Sequence, residues 1–127
     1  MALGYPPESC GMSGECVACP VIEADGGVYP CDFYAFDQWF MGNIHEKDFS
    51  DLANSDAGRR FVEVSRYVAP ECRDCQWYGL CRGGCRRDRE PVDGSQLLLN
   101  RHCEAYREFF LYASDRIIGL AQRLGGE

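Results

Sequence analysis

The chain has 127 residues, with 13 Lys and Arg against 20 Asp and Glu and a formal charge of -7, so one modest domain is expected and nucleic acid is excluded as a partner. The first seven residues carry neither a basic lead nor an apolar run, and the stretch from Phe109 to Ala113 is far too short to cross a bilayer. Neither membrane nor export is expected, which leaves the cytoplasm.

Val21 to Cys31 reads as a hairpin, because Asp25-Gly26 supplies the positive dihedrals of a tight turn between two β-prone runs. That turn delivers Cys31 at its far end. Asp32 to Ile44 is dense in aromatics but has no helical period, and is expected as a packed loop or short extended segment. One helix is expected from near Asp48 to Ala53, and another, capped by Ser55, to about Val68 before Pro70 stops it. Glu71 to Arg89 is rich in Cys, Gly and Arg with little apolar periodicity, which predicts a loop wrapped around metal. Asn100 is placed to cap a last helix on which Tyr106, Phe109, Phe110, Ala113, Ile117, Leu120 and Leu124 share one face. No repeat or long linker interrupts the chain, so residues 1–127 are read as one α+β domain.

The nine cysteines are spaced Cys10-x5-Cys16-x2-Cys19-x11-Cys31 and, after a gap of 40 residues, Cys72-x2-Cys75-x5-Cys81-x3-Cys85-x17-Cys103. An odd count, two C-x2-C pairs and the lack of a secretory signal favour metal over disulfides. Metal would also cross-link distant segments, so the metal-free chain is expected to be weakly structured. Gly79, Gly83 and Gly84 allow backbone close to a bulky cluster. Soft thiolates suit both zinc and iron–sulfur centres, and spacing alone leaves two four-cysteine zinc sites open beside two clusters.

The array from Cys10 to Leu124, with C-x5-C, then G-x4-C at Gly26 to Cys31, then C-x2-C-x5-C-x3-C and a final lone Cys, resembles the twin-cluster SPASM domain of radical S-adenosylmethionine enzymes. Gly26 to Tyr34, Gly42-Asn43-Ile44, Leu80 to Arg87 and Asn100 to Phe110 most resemble the anaerobic sulfatase-maturating enzymes within it. The resemblance implies two auxiliary four-iron four-sulfur (4Fe-4S) clusters, the first on Cys10, Cys16, Cys31 and Cys85, the second on Cys72, Cys75, Cys81 and Cys103. Cys85 then crosses to the other centre and staples the two halves, as the last Cys of a tight run does in two-cluster ferredoxins. Cys19 is left over, a small buried hydrophobe or a bystander thiol.

Those enzymes oxidise a Cys or Ser of a client sulfatase to formylglycine with a radical made at a third cluster. That cluster needs C-x3-C-x2-C, and here Cys81-x3-Cys85 is followed by Asp88, so S-adenosylmethionine would act only through a radical SAM barrel outside this sequence. The implied role is electron transfer and substrate support, with the barrel, a client sulfatase peptide and an external electron acceptor as partners. The resemblance makes Asp32 the candidate catalytic base; cluster charge and burial would both work against its ionised form and strengthen it as a base. A loop-shaping Asp is the plainer reading of the residue alone. Arg82, Arg86, Arg87 and Arg89 are placed either to offset anionic centres or to face solvent. His45 and His102 have no second histidine at ligand spacing. The alternatives are a free-standing iron–sulfur electron-transfer or peptide-binding module, and a structural zinc domain.

Overall fold

The computed structural model describes residues 1–90 and 96–125. They form two compact units, one of residues 15–67 and the other of residues 1–14, 68–90 and 96–125. Each is described by itself. A small three-stranded antiparallel sheet, several short helices and one long C-terminal helix make the chain α+β, as expected.

In the 15–67 unit, β1 (Val21–Ile22) pairs with β2 (Gly27–Tyr29), with Val21 opposite Tyr29 and Ile22 opposite Val28. The turn is built as the sequence predicts: Gly26 sits at φ +84°, and the Asp25 carboxylate accepts the Gly27 N–H at 2.9 Å. A third strand, β3 (Gly42–Asn43), pairs antiparallel with β2 and was not legible in advance, since two residues cannot show an alternation. The aromatic stretch before it contains two single 3-10 turns, Asp32–Tyr34 and Asp37–Trp39, rather than plain loop. They turn Tyr34 and Trp39 inward onto Phe61 and leave Phe33, Phe36 and Phe40 exposed.

Two small cores result. Val28, Met41 and Leu52 close one beneath the sheet; Tyr34, Trp39 and Phe61 meet edge to face in the other, with centroids 5.0 Å apart for Tyr34–Phe61 and 5.3 Å for Trp39–Phe61. Helix α1 (Phe49–Ala53) supplies Leu52, and α2 (Asp56–Ser65) supplies Phe61. Ser55 caps α2 as expected, accepting from Gly58 N–H at 3.2 Å. The helix ends at Ser65, short of Val68, with Arg66 as its C-cap.

In the other unit, the Cys-rich run is not bare loop. It folds as single turns: α3 (Pro70–Arg73), opened by Pro in its first turn, α4 (Tyr78–Cys81) and a 3-10 turn at Arg86–Asp88. One-turn helices are too short to show a period. Helix α5 (Cys103–Leu124) follows, with His102 rather than Asn100 in the capping position. Of its expected face, Phe110 and Ala113 are buried and Tyr106 and Ile117 half-buried, while Phe109, Leu120 and Leu124 are exposed. Among the described residues, no helix is long and apolar enough to cross a membrane.

Phe61 is 1% exposed and central to its core, against which Cys16 and Cys31 also pack. Phe61→Ala should cost about 3–5 kcal/mol, and Phe61→Leu much less. Denaturant titration followed by tryptophan emission measures both; equal midpoints for Phe61→Ala and wild type would refute the packing.

Candidate metal centre

Four thiols, those of Cys72, Cys75, Cys81 and Cys103, line one cavity of about 380 Å³ in the unit made by residues 1–14, 68–90 and 96–125. Local hydrogen bonds set three of them in place. Cys72 N–H donates to Ala69 carbonyl at 2.9 Å, Cys75 carbonyl accepts from Tyr78 N–H at 3.0 Å, and Cys81 N–H donates to Trp77 carbonyl at 2.9 Å. Each sulfur thus projects from a turn whose backbone is already satisfied. The cavity is finished by Trp77, stacked on Phe110 at 6.0 Å, and by Tyr106.

The chain then reverses through three residues at positive φ, Arg82 at 48°, Gly83 at 85° and Gly84 at 70°. Glycine is required at Gly84, where a β-carbon would lie 2.4 Å from the Asn100 amide nitrogen. Asn100, 4% exposed, is the fastening of this site: its Nδ2 donates to the Gly83 carbonyl at 3.0 Å and its Oδ1 accepts from His102 N–H at 2.7 Å. Its own carbonyl accepts from Cys103 N–H at 2.9 Å. One amide therefore holds the loop after Cys81 against the start of the helix that carries Cys103. The sequence marked Asn100 as a helix cap; this brace needs contacts between residues 17 apart, which no local pattern announces.

Burial pushes the Cys72 thiol above its ordinary value, and the neighbouring Cys103, Cys81, Cys75 and Glu71 add to the rise. Cys81 is raised by burial first; the Gly83 N–H and Arg89 pull it down, while Cys103 and Cys75 push it up. Tyr106 is raised by burial, then by Asp88, Cys81 and Cys85. A positively charged metal centre would offset the penalty that burial and thiol neighbours place on the Cys72 and Cys81 thiolates. Among the described residues, no three His, Cys, Asp or Glu side chains converge as a single ion requires. A zinc ion needs all four sulfurs at about 2.3 Å. A cavity of about 380 Å³ lined by four cysteines has the soft donor set and the room that an iron–sulfur group takes.

The other four cysteines assigned to a centre divide between the units, Cys10 and Cys85 in one, Cys16 and Cys31 in the other. Cys10 opens a 3-10 turn through Met12, capped by Ser9, and Arg82 donates to the Met12 carbonyl at 3.2 Å. Cys16 N–H donates to Ser65 Oγ at 2.8 Å, which fixes it to the end of α2. Cys31 follows β2 and comes close enough to Cys16 for that neighbour to disfavour its ionisation. Its thiol is pushed up to about 11, by burial first; the backbone of Phe33 lowers it, and Asp32 and Cys16 raise it. The Cys31 thiol donates to Asp32 Oδ1 at 3.3 Å. Asp32 itself is exposed, so burial does not contribute to its environment as the sequence had suggested. Cys19 is exposed as well, which leaves it a bystander thiol. His45 is exposed, and His102 lies 3.8 Å from Asp88.

Residues 10–76 match the profile of SPASM, an iron–sulfur cluster-binding domain. The chain belongs to this SPASM family. Among similar proteins are the cysteine-type anaerobic sulfatase-maturating enzymes of Clostridium perfringens, 45% identical over 116 residues, and Clostridium novyi, 46% identical over 108. These alignments take in 91% and 85% of this SPASM chain but 31% and 29% of the relatives, so the chain spans about a third of their length. A solved structure titled native anSMEcpe with bound AdoMet and Cp18Cys peptide superposes with a TM-score of 0.89 at 44% identity, covering 92% of this chain and 32% of that one. The family's description favours iron–sulfur chemistry over zinc at this SPASM domain's thiols.

Replacing Asn100 with Asp removes the donor to Gly83 and sets a carboxylate against that carbonyl. Asn100→Asp should destabilise the chain by about 1–3 kcal/mol, read as a lower midpoint in urea. An unchanged midpoint would show that the brace is not made.

Proposed function

We propose that residues 1–127 act as the auxiliary domain of a radical S-adenosylmethionine sulfatase maturase, holding two 4Fe-4S clusters in the cytoplasm. The reading assigns Cys72, Cys75, Cys81 and Cys103 to one cluster and Cys10, Cys16, Cys31 and Cys85 to the other. The observation that carries it is a cavity lined by four cysteines, in a chain whose family binds iron–sulfur clusters. When bound, such a centre supplies a one-electron acceptor. A client sulfatase peptide, a radical SAM barrel and an external electron acceptor are the partners this implies, and a Cys or Ser of the client is the residue converted to formylglycine.

Within that reading, this chain's own residues orient and deprotonate. Asp32 Oδ1 already accepts from a proton donor, the Cys31 thiol, at 3.3 Å. When Cys31 is a thiolate ligand it has no proton left to donate, and the exposed Asp32 carboxylate is free to accept one from substrate. Ser65 and Asn100 keep ligand-bearing loops in register without touching the reacting atoms.

Anaerobic reconstitution should load about eight irons and eight sulfides per chain and give a broad brown absorption that dithionite bleaches. Stoichiometric zinc with no iron uptake would sink the proposal. In the enzyme that contains this domain and its barrel, Asp32→Asn should keep both clusters and the cleavage of S-adenosylmethionine but lower product formation by about a hundredfold or more. Loss of iron instead would make Asp32 a support for Cys31, and unchanged product formation would place the base elsewhere.

A further inference from the structure

The four arginines of the cysteine-rich run are not equivalent. Arg82 is committed to the Met12 carbonyl, Arg87 is exposed, and Arg86, buried, pairs with Glu90 at 2.8 Å. Arg89 is different in its surroundings. It is 5% exposed and lies behind the cavity wall at Gly83, where a methyl group added to that glycine would sit 3.7 Å from both Arg89 Cδ and Nη1. Gly83 itself lines the cavity beside Cys81. The positive φ of Gly83 belongs to the same reversal that turns its N–H toward the Cys81 sulfur. The Gly83 N–H and the Arg89 guanidinium both favour the charged form of the Cys81 sulfur.

Two features of the backbone hold Arg89 there. Its N–H donates to the Arg86 carbonyl at 2.8 Å, and its carbonyl accepts from Leu98 N–H at 2.8 Å. The side chain is therefore anchored at both backbone ends and roofed by a residue with no side chain of its own.

We propose that Arg89 is a positioning residue that sets the reduction potential of the centre held by Cys72, Cys75, Cys81 and Cys103, its buried guanidinium stabilising the reduced, more negative state across Gly83. This rests on the cluster assignment above. An added electron raises the negative charge of an all-thiolate centre, and a cation in a medium of low dielectric favours that state more than the oxidised one. Removing the cation lowers the potential. Arg87 contributes less, because its charge is exposed and screened by water.

The test is a redox titration of the reconstituted chain, followed by electron paramagnetic resonance, for wild type, Arg89→Gln, Arg89→Lys and Arg87→Gln. Arg89→Gln should shift the reduction equilibrium of one couple about tenfold toward the oxidised form, about 59 mV lower for a one-electron step. The other couple should stay in place, and Arg89→Lys and Arg87→Gln should stay within about threefold of wild type on the same scale. Unmoved midpoints in Arg89→Gln, or an equal drop in Arg89→Lys or Arg87→Gln, would overturn the inference. Should Arg89→Gln fail to load its second cluster, Arg89→Lys decides: loading at the wild-type potential supports a need for the charge, and failure there too overturns it. Failure of wild type to take up iron would count against the cluster assignment instead.

Discussion

Four thiols share one cavity, and those of Cys72 and Cys81 become harder to ionise through burial and through their thiol neighbours. That repulsion is the constraint on which the segments carrying these cysteines depend. The chain cannot rely on the sulfurs to hold themselves together, so it fastens the segments that carry them. Turns of one helical repeat satisfy their own backbone, and a buried amide at Asn100 clamps the loop after Cys81 to the start of α5. An amide is well suited to this, since it donates on one side and accepts on the other without adding charge to a site that already has too much.

The 15–67 unit solves a smaller version of the same problem. Its two assigned thiols rest on an aromatic core, and Cys16 takes its footing from a buried serine that also donates to the Val62 carbonyl in its own helix. The sheet is too small to be stable by pairing alone, with strands of two or three residues. Its role is to place Cys31 at the exit of β2, one residue before the chain turns at Asp32. Fold and chemistry are joined here by position more than by mass.

What could be read in advance follows the physics of range. The Asp25-Gly26 turn, the Ser55 cap and the two helices around it are set by neighbours in sequence and stand where expected, save that the second helix stops at Ser65 rather than near Val68. The cysteine array pointed to soft-metal ligation, and the family resemblance rather than the spacing chose iron–sulfur over zinc. Elements of one turn, such as Tyr78–Cys81, leave no periodic trace and were read as loop. The braces at Asn100 and Ser65 and the burial of Arg89 depend on residues far apart in the chain, so their sequence context looks like that of any cap, helix end or surface arginine.

The chain has two tryptophans, and each unit holds one of them. Trp39 is packed in the core that supports Cys16 and Cys31, and Trp77 stands in the wall of the cavity with Cys72, Cys75, Cys81 and Cys103. Each unit therefore carries its own fluorophore beside its own thiols, with Trp39 buried against Tyr34 and Phe61 under the Arg60 guanidinium and Trp77 stacked on Phe110 and partly open to water. The two emit from different surroundings, so single-tryptophan variants would turn the chain into a pair of optical reporters, one for each set of sulfurs.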